Sequence, residues 1–255
     1  MIVTASFLGG GVRRLGGFGG ALIMSPVFMW IFPVTELVVL VLLAEVLGGL
    51  LLAHQCRVAT EDKPRRNRLL LFAALAFPVG IALGIWAQME TLRLMTNFLI
   101  ALFAAYLITN NRRHSQLTAR RDCWVGLLCG GLLGSCGIGG PPAVLYLNSS
   151  PMEFERVRSL LSSFISGICI IGLSIALFLV SQWFFLAWLP IVLISYLAGV
   201  YIARTLTTGL LDNANIVRKT CLLIMFGNAL INLAIAGQHL LSRPELLVSV
   251  AFEFS

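Results

Sequence analysis

Two arginines and one glutamate lie where this chain offers them little water. Arg13 and Arg14 interrupt a glycine-rich apolar stretch, and Glu45 falls in the middle of another. A charge at membrane depth costs about 2.5–3.5 kcal/mol on insertion scales, and such residues are functional by default. A guanidinium presents a planar fork of donors to an oxyanion. Arg14 is read as the anion ligand ahead of Arg13; for both, the bland alternative is snorkelling to the interface. Glu45 is read as a proton-coupling carboxylate, because burial raises a carboxyl pKa into a usable range. Its bland alternative is a neutral side chain bonded to a neighbouring helix, or a partner for Arg14.

Backbone donors come next. Gly17, Gly19 and Gly20 form one cluster; Ser135, Gly137, Gly139 and Gly140 form a second. Glycine lets a backbone approach a ligand closely. A helix that restarts after such a break has free N–H groups and partial positive charge at its N-terminus, which suits a small anion. Ser135 adds a hydroxyl donor. Cys136 has no His or acid beside it in sequence to activate it, so covalent chemistry is not expected. His54, His114 and His239 are scattered, and no Cys/His cluster has metal-ligand spacing. With no acid/base or metal constellation, the chain is not expected to be an enzyme or to carry a cofactor. Asn97, Asn228 and Asn232 are polar groups within apolar stretches, read singly as bonds across helices rather than cavity lining.

The elements that must position these groups follow from composition. Of 255 residues, 58% are hydrophobic and only 11% charged, and the mean hydropathy is +0.93. A soluble domain carries about 25% charged residues. A soluble domain, a disordered chain and a nucleic-acid-binding domain are therefore excluded. The formal charge of +7 fits basic residues collected in cytoplasmic loops. Six cysteines lie mostly in apolar stretches and read as packing residues, not a disulfide framework. The N-terminus lacks the basic start of a cleavable signal, so none is expected.

Spans of about 20 apolar residues are predicted at 34–53, 69–87, 94–109, 159–180, 184–203 and 220–236. Residues 2–32 and 123–147 are apolar but broken by glycine, the second also by Pro141 and Pro142. Broken backbone at membrane depth is tolerated only where it is buried in protein or lines a cavity. An offset of 120 positions places Gly10, Gly11, Gly17, Gly19 and Gly20 on Gly130, Gly131, Gly137, Gly139 and Gly140. The chain is thus a single all-α transmembrane domain, 1–255. Its pseudo-repeats run over about 1–112 and 123–240, each a broken stretch plus three spans, with a short tail at 241–255. If both broken stretches crossed fully, Arg156, Arg158, Arg204, Arg218 and Lys219 would face outside while the basic 54–68 loop faced inside. If both are re-entrant hairpins, the halves are inverted, and nearly all the loop arginines and lysines face the cytoplasm, as the positive-inside rule requires. The inverted arrangement is preferred, and inverted repeats with broken helices are a signature of secondary transporters.

The same residues carry a family resemblance. Gly16-Gly17-Phe18-Gly19-Gly20-Ala21-Leu22-Ile23, with Val12-Arg13-Arg14 before it, is the first motif. Gly134-Ser135-Cys136-Gly137-Ile138-Gly139-Gly140-Pro141-Pro142, with Leu145-Tyr146-Leu147 after it, is the second. Together they resemble the paired signatures of the sulfite exporter TauE/SafE family, and the resemblance extends through repeat, spacing and length over most of the chain. It implies a transporter of sulfite, sulfoacetate or other sulfur-containing or organic anions, usually outward, here in a bacterial inner membrane. The expected mechanism is alternating access driven by the proton gradient. The anion would sit between the two hairpin tips, held by the N–H groups of 17–20 and 137–140 with Arg14 adding charge. A passive anion channel on the same scaffold is the alternative. The partners expected are the anion and the bilayer, with no nucleic acid; the chain is compatible with a homodimer.

Overall fold

The computed structural model describes residues 1–52, 58–109, 117–179, 184–210 and 214–241. Ten α-helices follow one another: α1 (Ile2–Gly16), α2 (Gly20–Phe28), α3 (Val34–Leu52), α4 (Lys63–Trp86), α5 (Met89–Thr109), α6 (Ala119–Cys136), α7 (Pro141–Asn148), α8 (Phe154–Leu179), α9 (Leu189–Leu210) and α10 (Ala214–Leu241). Two 3-10 turns, Thr60–Asp62 and Phe184–Ala187, precede α4 and α9. No strand occurs among the described residues. The glycine breaks fall where the sequence put them, between α1 and α2 and between α6 and α7.

The predicted spans correspond to α3, α4, α5, α8, α9 and α10, with two differences. The helices start earlier, because their first turns are polar and project beyond the apolar segment: α4 begins at Lys63, α8 at Phe154 and α10 at Ala214. The 184–203 stretch divides into a 3-10 turn and α9, with Pro190 in the first turn of α9, where a missing N–H is harmless. Among the described residues, Val34–Leu52, Thr60–Trp86 and Glu155–Phe178 are long and apolar enough to cross a bilayer; Leu189–Thr205 and Leu223–Gln238 are shorter apolar helices. α5 carries Glu90, Arg93 and Asn97 in its first half and an apolar second half. The loop residues His54, Cys56, Arg57, Arg112, Arg113 and His114, together with Arg243 and the tail 242–255, lie outside the described residues, as do the side chains of Arg218, Lys219, Cys221 and His239.

α3 is the central helix. Leu37 to Leu42 are all at 1% exposure or less, so every face of this turn is covered. A helix apolar all round is one buried all round. α8 crosses it antiparallel, with Gly172 against Leu42 and Gly49 against Ser166. The outer helices show the opposite pattern. On α4, Leu71, Leu75, Val79 and Leu83 recur every four residues at 58–61% exposure, while Leu69, Ala73, Phe77 and Ile81 are buried on the other face. That much exposed apolar side chain on one stripe suits a lipid or protein neighbour and not water.

The long helices make their closest approaches through small residues. α4 and α6 run side by side along Gly126, Gly130 and Gly134; a Cβ on Gly130 would overlap the Ala73 carbonyl, and one on Gly134 the Phe77 carbonyl. α1 meets α9 in the same way, with Gly10 on the Tyr196 carbonyl and Gly199 on that of Phe7. Small residues spaced by four let backbones touch, which maximises dispersion contact where lipid removes the hydrophobic drive. Gly80 and Gly84 are both at this seam, facing Gly131 and Ser135 of α6.

Both broken stretches double back on themselves. Gly9 of α1 faces Gly20 and Met24 of α2. Tyr146 near the end of α7 donates to Asp122 in the first turn of α6 (2.7 Å). Asp122 is buried and also accepts from Arg68 at 2.8 and 3.0 Å, while Arg65 lies 3.4 Å away. Buried Asp62 takes Arg156 at 2.6 and 3.1 Å. These ion pairs tie the starts of α4, α6 and α8 together at one end of the bundle.

Candidate functional site

α1 stops at its glycine pair. Gly17 adopts φ +75° and donates its N–H to the Arg13 carbonyl (3.0 Å), the left-handed cap that glycine alone adopts without strain. Gly19, at φ +103°, turns the chain into α2 against Met225 and Val12. The break therefore places the last turn of α1 and the first of α2 side by side, in the interior.

Arg13 projects from that last turn into the protein and is fully buried. Its Nε lies 3.1 Å from Glu45 Oε2 on α3, one terminal nitrogen donates to the Gly17 carbonyl, and the other donates to Ser166 Oγ on α8 at 3.0 Å. Glu45, 1% exposed, accepts the Ala21 N–H through Oε1 at 2.8 Å. A protein carboxylate thus already fills the anion position at the head of α2, where free N–H groups and the helix dipole favour negative charge. Gly20 allows this approach: a Cβ there would overlap Glu45 Oε1. The Tyr196 hydroxyl lies beside Gly20 and Gly48, buried and without a hydrogen-bond partner among the described residues.

A cleft of about 300 Å³ leads to this cluster between α3, α4 and α8. Its polar lining is Arg66, Ser162, Ser163 and Ser166; Val46, Leu50, Leu70 and Ile170 supply the apolar walls. Arg66 sits 3.5 Å from Ser163 Oγ at the α4 end. Ser166 belongs both to the cleft wall and to the Arg13 hydrogen bonds, so the buried guanidinium is one hydroxyl away from the cavity. Cations and hydroxyls in a low-dielectric cleft attract and orient an anion.

The sequence-predicted groups are distributed unevenly around this site. Glu45, Gly17 and Gly20 are in it. The guanidinium in it is that of Arg13; Arg14, next along α1, is half-buried, and its carbonyl accepts from Arg158 at 2.9 Å. Glu45 accordingly pairs with Arg13 and not with Arg14. The second glycine cluster is elsewhere. Gly137, at φ +71°, caps α6 and abuts Ser25 of α2 and Leu37 of α3, while the Gly17 turn abuts Arg158 of α8. Ser135 donates back to the Gly131 carbonyl at 2.9 Å. Gly139 packs on Leu133 and Cys129, and Gly140 precedes α7. α7 opens with Pro141 and Pro142, which remove two of the N–H donors that its N-terminus would otherwise present.

Asn97 bonds within its own helix, to the Arg93 carbonyl. Asn228 reaches across to the Ile23 carbonyl of α2 (3.3 Å), and with Asn232 lines a second cavity of about 170 Å³ between α1, α2 and α10. The residues that sequence reasoning passed over are Arg66, Ser162, Ser163 and Ser166. Their only signal was that three serines cluster within five residues on one predicted span.

The sequence model describing the sulfite exporter TauE/SafE family matches residues 2–232. No curated protein and no solved structure matches the chain.

Proposed function

The chain belongs to the sulfite exporter TauE/SafE family, and from that premise we propose that it carries a sulfite-like or sulfonated organic anion outward across a bacterial inner membrane by alternating access. The observation that carries this reading is the cleft whose serine wall hydrogen-bonds the buried Arg13. An oxyanion entering past Arg66 meets Ser162, Ser163 and Ser166 in turn and ends at a guanidinium, the side chain best matched to its geometry.

The arrangement of the helices supports two inverted repeats. Each half supplies a broken pair and three long helices, the α4–α6 seam has its counterpart in α9–α1, and the arginines at the starts of α4 and α8 gather at one end. On the positive-inside rule that end is cytoplasmic, which makes the cleft an inward-facing vestibule and both broken pairs re-entrant. Glu45 is the carboxylate on which proton coupling would rest. The membrane potential alone, negative inside, drives each exported negative charge by about 2.3 kcal/mol per 100 mV.

The test is sulfite flux from proteoliposomes holding the purified protein, with and without an imposed pH gradient. The expected result is saturable efflux with counterflow, accelerated by one direction of the gradient. Non-saturating flux without counterflow would instead identify a channel, and flux indifferent to the gradient would remove the proton from the cycle. In the same assay Arg66→Ala should raise the KM for sulfite roughly tenfold, because a cation lining the path concentrates the anion there. Its melting temperature should stay unchanged, since Arg66 is half-buried and its closest hydrogen bonds are to neighbouring Asn67. An unaltered KM would exclude this cleft as the route.

A further inference from the structure

Glu45 divides its carboxylate between two partners. Oε1 is held by the Ala21 N–H at the head of α2, and Oε2 faces Arg13 Nε at 3.1 Å. The two side chains are 0% and 2% exposed, so neither charge is offset by solvent. Around the pair are groups a bound oxyanion would use: Arg13 itself, the Tyr196 hydroxyl, buried close by with no hydrogen-bond partner among the described residues, and in the cleft wall Ser166, which accepts from Arg13 and here gives its proton to the Ser162 carbonyl. A tethered anion therefore occupies the place of a free one.

This matters for a carrier because the protein must cross twice per cycle, once loaded and once empty. In the loaded crossing the substrate neutralises Arg13, and Glu45, released from it, takes up from the cytoplasmic side the proton on which coupling rests, so the core again holds no net charge. In the empty crossing nothing from solution neutralises Arg13, and a closed core containing one uncompensated charge is the least accessible state of all. We infer that Glu45 is the counter-ion of the empty carrier: it pairs with Arg13 when the anion has left, yields Arg13 to the next anion, and so permits the return without substrate. The inference rests on the reading of Arg13 as the anion's partner. The bond to Ala21 keeps the carboxylate seated on α2 while Oε2 lets go of Arg13, so the exchange needs no change in the backbone around it.

Two fluxes of radiolabelled sulfite from proteoliposomes separate the crossings. Exchange, with sulfite on both sides, uses the loaded crossing alone. Net efflux, with sulfite inside only, also needs the empty return. Glu45→Gln preserves shape and the acceptor for Ala21 but removes the charge. The ratio of net efflux to exchange should fall at least roughly tenfold in this variant, and Glu45→Asp should restore part of it. An unchanged ratio in Glu45→Gln overturns the inference, as does a folded, sulfite-binding Glu45→Gln protein that has lost exchange as well. The wild type supplies a check independent of any variant's folding: its net efflux should approach its exchange rate, and obligate exchange by the wild type overturns the inference. A wild type that moves sulfite in neither mode refutes the sulfite reading itself, which is a different result from any of these.

Discussion

Arg13→Met alone is expected to lower stability by about 3–5 kcal/mol, and Arg13→Met combined with Glu45→Gln to recover most of that loss. The charge left behind decides the outcome. In the single variant Glu45 stays almost completely buried, opposite an apolar side chain where it had a guanidinium at 3.1 Å. The Ala21 N–H still serves Oε1, but nothing serves Oε2. In the double variant no charge remains, and a neutral amide can still accept from Ala21. Transport should be lost in both, since both lack the guanidinium. Melting of the purified proteins in detergent measures the first effect and proteoliposome flux the second. Equal destabilisation in single and double variants would mean that the pair itself is strongly net stabilising. A single variant as stable as wild type would mean that Glu45 is held by α2 alone.

Gly130→Leu should have a comparably large effect through packing. A Cβ at Gly130 would overlap backbone atoms of Ala73, and backbone within a helix cannot rotate aside as a side chain can. α4 and α6 would have to separate along their whole seam, opening Gly126 and Gly134 with it. Overpacking commonly costs about 1–3 kcal/mol; with a rigid partner and a side chain of four carbons the loss should exceed about 3 kcal/mol and remove most monodisperse protein. The adjacent position is the control. A Cβ at Gly131 meets nothing within 4 Å, so Gly131→Ala should be neutral or gain up to about 1 kcal/mol from helix propensity. Size-exclusion profiles and melting temperatures of the two variants decide it. Similar behaviour in both would mean that the α4–α6 contact is not what holds these helices.

What was legible in the sequence was whatever depends on one-dimensional pattern. Apolar runs marked α3 through α10, and glycine pairs marked the breaks at 17–19 and 137–140, because a left-handed cap and a tight turn demand that residue type locally. Glu45 stood out as a charge in an apolar run. The choice between Arg13 and Arg14 was not legible. Successive residues on a helix point about 100° apart, so which of the two turns inward depends on which face of α1 meets α3 and α8. That is a tertiary fact, because the buried face of α1 (Ile2, Ala5, Ser6, Gly9, Gly10, Val12 and Arg13) is made largely of small and polar residues that hydrophobicity does not mark. Ser162, Ser163 and Ser166 were silent for a related reason: a serine in a span is usually a packing residue, and only the cavity beside these three gives them another use. The convergence of the two tips was expected from repeat symmetry. The first turn seats on α8 and the second on α2 and α3, neighbours that no one-dimensional pattern announces.

The prolines that open α7 distinguish the second glycine turn from the first. At the 120-residue offset that superposes the glycine turns, Arg13 falls on Leu133, a buried aliphatic side chain, and Ala21 falls one residue short of Pro142. The second turn thus has the shape of the first without its guanidinium or its full set of N–H donors. On the proposed reading only the first turn offers a guanidinium and a full set of donors, and one anion per chain, bound to one side of the molecule, is the occupancy that reading predicts.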